Sequence, residues 1–199
     1  MNRFAFLLLL VAPPCLVSQI LKNNDLNVYI TRASVLFAVG ISDFSQMDFA
    51  NARAVHVDGD GEWQALKRGR GRTKDASRVG SVEVWLRWQQ ALDARHWVVD
   101  YDWEWIAGSS SQSNIVQVVE LREGKVYITQ EIEVDTHHGG HAVGAWFNAG
   151  RKRLTVKAVN YAPFEGRCCP SLMGVVTFTW DGTRFHRITA KRVPLPKDE

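Results

Sequence analysis

The chain has 199 residues, 46% hydrophobic and 23% charged, with 15 Gly and 6 Pro, proportions that exclude a disordered, collagenous or coiled-coil chain. The length fits one domain with its own core, and a formal net charge of +3 is too small to indicate a nucleic-acid partner. Eight Trp residues are many for a chain of this length, and aromatic side chains favour cores, strands and binding faces.

Met1-Asn2-Arg3, the apolar run from Phe4 to Val11, and then Pro13-Pro14-Cys15 read as a secretory signal peptide over residues 1–18. The run is too short to span a bilayer, which takes roughly 20 apolar residues. Cys15 is a candidate lipid-attachment residue, the one route by which this reading reaches a membrane. A single β-rich domain is expected over 19–193, with a polar tail at 194–199. Leu26 to Ile41 reads as a strand pair or a helix, and Val82 to Leu92 fits both periods badly. Between them, Val57-Asp58-Gly59-Asp60-Gly61-Glu62 offers Asp58 and Asp60 to a hard cation such as calcium, or forms a plain Asp-Gly turn. Lys67-Arg68-Gly69-Arg70-Gly71-Arg72-Thr73-Lys74 holds five cations in eight residues without an interleaved aromatic. Base stacking is therefore not indicated, and the run reads as part of one solvated loop from Arg68 to Gly80.

From Gly80 onward, short alternating segments are separated by turn residues. His96 to Trp105 is the clearest strand: Trp97, Val99, Tyr101, Trp103 and Trp105 share one face, and Asp100, Asp102 and Glu104 the other. Gly108 to Ser113 reads as a polar loop. Ile115 to Leu121 and Lys125 to Asp135 follow as a hairpin around Arg122-Glu123-Gly124. Simple alternation in the second strand places Val126, Ile128, Ile132 and Val134 on one face, and Tyr127, Thr129, Glu131, Glu133 and Asp135 on the other. Ala142 to Phe147 and Arg153 to Tyr161 pair around Asn148-Ala149-Gly150, with Leu154, Val156 and Ala158 inward. Gly174 to Trp180 and Thr183 to Ala190 close the chain around Asp181-Gly182. The expected fold is mainly β, an antiparallel meander forming a sandwich or partly open barrel, with room for one helix.

Four groups of residues bear on chemistry. His137, His138 and His141, after Asp135, are candidate ligands for a metal such as zinc, because imidazole is its commonest ligand; a polar hairpin loop is the plainer reading. Trp97, Tyr101, Trp103 and Trp105 are candidate ligand-binding residues able to stack on sugar rings, or simply core. The carboxylate faces carrying Glu104 and Glu131 invite a glycosidase reading with paired acid and base. Alternate charges on a solvent-facing strand, partnered by Arg153 and Lys157, account for the same pattern. Cys168 and Cys169 are adjacent, so they are a candidate structural disulfide closing an eight-membered ring, or a thiol pair. No catalytic residue and no cofactor is indicated.

The stretch from Leu154 through Tyr161 to Cys168-Cys169-Pro170-Ser171, then Val175 to Trp180-Asp181-Gly182, resembles the close of the LppP/LprE-type lipoprotein family. The likeness covers the last third of the chain and reaches more weakly to Gly124-Lys125-Val126. It implies an exported bacterial envelope protein with a β-rich domain and gives no reaction. The functional expectation is a non-enzymatic binding or structural module, secreted, periplasmic or in the envelope, with an envelope protein or a glycan as partner. A glycan-active hydrolase and a metal-dependent module are the alternatives.

Overall fold

A computed structural model of the chain describes residues 19–23, 26–57, 63–75, 80–106, 111–136, 143–166 and 168–196. The segment read as a leader with Cys15, and the candidate ligands Asp58, Asp60, His137, His138 and His141, lie outside the described residues.

Val, Ile, Trp and Tyr dominate the long segments, and branched or aromatic side chains fit the pleated surface of a sheet. The strands in chain order are β1 (Gln19–Asn23), β2 (Val28–Val39), β3 (Arg53–Val55), β4 (Trp63–Ala65), β5 (Arg70–Asp75), β6 (Gly80–Ala91) and β7 (His96–Ile106). They continue with β8 (Ser111–Arg122), β9 (Lys125–Asp135), β10 (Gly144–Asn148), β11 (Arg153–Asn160), β12 (Leu172–Trp180) and β13 (Phe185–Pro194). No α-helix occurs among the described residues, only short 3-10 turns such as Phe44–Gln46 and Ala149–Arg151. None of these helical pieces is long and apolar enough to cross a membrane.

All pairings are antiparallel. Seven strands form one sheet in the order β1-β2-β9-β8-β7-β6-β5, and four form a second in the order β10-β11-β12-β13. The large sheet has free edges at β1 and β5, so it is not closed into a barrel, and the architecture is a mainly β sandwich. Against one face of the large sheet, Val98, Val116, Ile132 and Val134 pack with Leu154, Val156, Val176 and Phe178 of the small sheet. Against the other face, Val99, Tyr101, Trp103 and Ile115 pack with Phe44, Phe49, Ala54, Val55 and Leu66, which belong to the segment carrying the β3–β4 hairpin. The large sheet is thus a central layer, apolar on both sides.

In β9 and β6, a bulge in each strand decides which side chains face which layer. In β9, Ile128 pairs with Val119 and Gln130 with Val118, leaving Thr129 as the extra residue. An added residue inverts the alternation beyond it. Val126 and Ile128 therefore lie with Tyr101 and Trp103, whereas Ile132 and Val134 face the small sheet. The uninterrupted alternation expected for this strand is corrected accordingly, and Glu131 and Glu133 share the face of Val126. In β6, Leu86 pairs with Tyr101 and Trp88 with Asp100, leaving Arg87 as the extra residue. That break is why the segment fitted neither period.

The N-terminal segment is one long strand rather than a strand pair or helix, and the presumed loop after Arg68 contains edge strand β5. Arg68 and Gly69 take positive φ, 54° and 78°, to turn the chain between Lys67 and Arg70. The cationic run therefore lies along a sheet edge, where charge discourages further strand pairing. Ser111 to Ser113 belong to β8 rather than a loop. Trp180 pairs with Phe185, so the last hairpin turns through four residues, whose backbone N–H groups at Thr183 and Arg184 donate to Asp181 Oδ1.

Phe178 is fully buried between the sheets. Phe178→Ala is expected to lower the unfolding free energy by about 3–5 kcal/mol, read as a fall in the urea midpoint. Phe164, fully exposed, is expected to change it by less than about 0.5 kcal/mol when replaced by Ala.

Candidate functional site

On the face covered by the β3–β4 hairpin, the β9 bulge turns Glu131 into the interior. Its side chain is 1% exposed. Glu131 Oε1 lies 2.9 Å from His56 Nδ1, and Oε2 accepts from the Val57 backbone N–H at 3.0 Å and from Gln117 Nε2 at 2.6 Å. The Gln117 amide also donates to the Val55 carbonyl. A carboxylate at Nδ1 makes that nitrogen the hydrogen-bond donor of this pair. His56 Nε2 is 3.9 Å from Glu133 Oε2, and Glu133 Oε1 accepts from Ser113 Oγ at 2.8 Å. The His56 ring rests against Trp103 and Trp105, with centroids 5.7 and 5.8 Å away. This constellation orients a histidine between two carboxylates and fastens residues 55–57 to β8 and β9.

A second polar group lies on the opposite face of the large sheet. Arg87, displaced by its bulge, places Nη1 3.4 Å from Asp102 Oδ1 and Nε 3.9 Å from Asp100 Oδ2. Asn114 Nδ2 donates to Asp102 Oδ1 at 3.0 Å and to the Tyr101 carbonyl at 3.2 Å. Asp100 is fully buried, and neither of its oxygens has a hydrogen-bond partner. Burial pushes its carboxyl well above the ordinary range, Arg87 opposing and Asp102 adding to the shift. Asp100 and Asp102 are thus partnered from β6 of the same sheet. Arg153 and Lys157, the partners expected from sequence, stand on β11 in the other sheet.

Tyr101 and Trp103 are 1% exposed, so neither offers a plane to solvent. Trp97 stacks on Phe44 and Phe49 at 5.7 and 5.9 Å, and Trp105 on Trp103 at 6.0 Å. Tyr101 and Trp103 belong to the second core, and Trp97 and Trp105 pack against it while half-exposed. Glu104 and Glu131 lie on opposite faces of the large sheet, because Glu104 shares the parity of Asp100 and Asp102 while Glu131 shares the side of Trp103. As a pair they cannot flank one bond. The structure instead brings Glu131 and Glu133, which the sequence put on one acidic face, together with His56 and Gln117, which sequence reasoning did not join to them. The signal for Gln117 was an amide interrupting the apolar run Ile115-Val116-Gln117-Val118-Val119.

Between β11 and β12, Cys168 and Cys169 are exposed thiols with Sγ atoms 2.8 Å apart. Glu165 Oε2 accepts the backbone N–H groups of Ala162 and Ser171 at 2.7 and 3.1 Å, which ties the two ends of this loop. The Ser171 side chain foremost, and then these backbone bonds, hold the Glu165 carboxyl below its usual value. Cys168 next to it pushes the Cys169 thiol up. Among the described residues no cluster of three or more His, Cys, Asp or Glu side chains could hold a metal ion. Comparison with known proteins finds no family model, no curated protein and no solved structure that matches this chain.

Glu131→Ala removes the buried acceptor shared by His56, Val57 and Gln117, and the expected loss is about 3–5 kcal/mol by urea unfolding. Glu104→Ala, at a half-exposed position, is expected to stay within about 0.5 kcal/mol. Asp100 gives a pH signature. A group that binds its proton more tightly when folded stabilises fully below its unfolded value, about pH 4. That contribution is lost as pH rises through the folded value. Asp100→Asn is therefore expected to exceed the parent in urea midpoint at pH 7, with the difference vanishing toward pH 4. A parent more stable than the variant at pH 7 contradicts the assignment.

Proposed function

We propose that this protein is an exported β-sandwich of the bacterial cell envelope, of the LppP/LprE type, that binds or braces a partner and carries out no reaction of its own. The observation supporting this most directly is the fate of the carboxylates. Glu131, one of the two carboxylates offered to an acid–base reading, is buried and accepts three hydrogen bonds that fasten the β3–β4 hairpin to the sheet. Its proposed companion Glu104 stands on the far face of the same sheet. A carboxylate whose two oxygens already accept three hydrogen bonds from protein donors is held in a fixed orientation as a structural acceptor.

Export accounts for the cysteines as well. The thiols of Cys168 and Cys169 stand 2.8 Å apart, and an oxidising compartment closes such a pair into a ring, locking the loop already tied by Glu165. The hydrolase alternative retains Glu131 and Glu133, both directed at His56 beneath Trp103 and Trp105.

The test is the intact mass of the full chain after export from a bacterial host, with and without thiol alkylation. The expected product begins near Gln19, or carries lipid at Cys15, and takes up alkylating reagent at Cys168 and Cys169 only after reduction. An unprocessed chain with two freely alkylating thiols contradicts the exported reading. Turnover of any glycan in a broad panel, abolished by Glu131→Gln, contradicts the non-enzymatic one.

A further inference from the structure

The bulge at Arg87 does more than repair an alternation. It sends two consecutive side chains, Arg87 and Trp88, toward the edge of the small sheet. The Trp88 indole Nε1 donates to the Ala145 carbonyl at 3.3 Å, and its ring stacks on Phe147 at 6.2 Å. Edge strand β10 is thereby partly capped by a side chain, which discourages addition of a peptide strand there. Arg87 passes over Gly144, whose φ of +124° suits glycine alone. A Cβ at that position would stand 3.2 Å from Arg87 Nη1 and 3.9 Å from Trp146 Cη2. The guanidinium and the indole therefore flank the space that a side chain would fill.

Trp146 belongs to neither core cluster and is 41% exposed. Lys157 Nζ, 4.9 Å from the centre of its ring, steadies it from β11. Arg87 is steadied from behind by Asp102 and the buried Asp100. Gln89 and Gln90 complete the border of a groove of about 300 Å³, the small end of the roughly 300–1,000 Å³ range of ligand sites. A fixed aromatic plane beside a guanidinium and the amide of Gln90, which shares the face of Trp88, suits a ligand with an apolar ring face and a rim of hydroxyl groups. It does not suit an apolar peptide side chain, for which no enclosed pocket is provided.

We propose that this groove binds a saccharide, with the Trp146 indole stacked on the C–H face of one sugar ring and Arg87 and Gln90 hydrogen-bonding to its hydroxyl groups. The proposal rests on the reading of the protein as a binding module and names its site and ligand class. Asp100 and Asp102 are positioning residues that orient the Arg87 guanidinium.

The experiment is a titration of the full chain, followed by indole NMR shifts, with N,N′-diacetylchitobiose and with a disaccharide of glucuronic acid and N-acetylglucosamine. At least one disaccharide is expected to bind with a dissociation constant of about 1 mM or tighter, shifting the Trp146 indole. Trp146→Ala and Arg87→Ala are each expected to weaken it at least tenfold, while Trp146→Phe, which keeps a ring, retains most of it. Phe164→Ala, remote and exposed, leaves it unchanged. A uronic-acid preference would assign Arg87 to a carboxylate, and equal affinities would assign it to hydroxyl groups; both support the site. No shift with either sugar up to about 10 mM, or binding that survives Trp146→Ala in a folded variant, overturns the proposal. A silent titration leaves the export and mass measurements intact, because neither passes through Trp146.

Discussion

A carboxylate buried to 1% exposure must find hydrogen-bond donors inside the protein or cost several kcal/mol, and Glu131 finds them on two different elements. The Gln117 amide comes from β8 beside it, while His56 and the Val57 N–H come from the segment after β3. Satisfying Glu131 therefore requires the β3–β4 hairpin to sit over the large sheet, with Val55 and Ala54 pressed onto Ile115 and Tyr101. The second core follows from that docking. Its precondition is the unpaired Thr129: without the bulge, Glu131 and Glu133 would point at Leu154 and Val156 of the small sheet, where nothing of opposite character awaits them.

The other face solves the same problem differently. Burial raises the pKa of the Asp100 carboxyl, and Arg87 reaches both Asp100 and Asp102, the latter also accepting from the Asn114 amide. Gln130 crosses the sandwich, donating to the Phe185 carbonyl and accepting its N–H at 3.0 and 2.8 Å. Such reciprocal side-chain bonds fix where β13 begins and so fix the small sheet over the large one. Arg87, pushed out by the second bulge, then reaches the edge at Gly144, where the most exposed ring of β10 stands.

Strand existence was legible in this sequence because alternation of Val, Ile and aromatics survives along β7, β8, β11 and β12. The inward set Leu154, Val156 and Ala158 was read directly. What alternation could not carry was an extra residue: Thr129 and Arg87 look like any other strand positions, yet each reverses the faces beyond it. The cationic edge strand β5 was hidden for another reason, since Arg and Gly have poor strand propensity and tertiary pairing with β6 overrides it. The candidate site was less legible still. Glu131 was noticed as a carboxylate, but its burial depends on the bulge, and His56 and Trp146 acquire meaning only from strands far away in sequence. Gln117, like Asp100, was a position whose chemistry conflicted with its apolar neighbours in sequence.

The claim that Glu131 fastens the hairpin to the sheet is tested most directly by amide hydrogen exchange at Val57. Its N–H donates to Glu131 Oε2, so it is expected to exchange slowly in the parent protein. In Glu131→Gln, which keeps the side chain's shape and halves its acceptors, Val57 is expected to exchange far faster while Val156 and Phe178 between the sheets stay protected. Fast exchange at Val57 in the parent, or unchanged protection in the variant, would contradict the account.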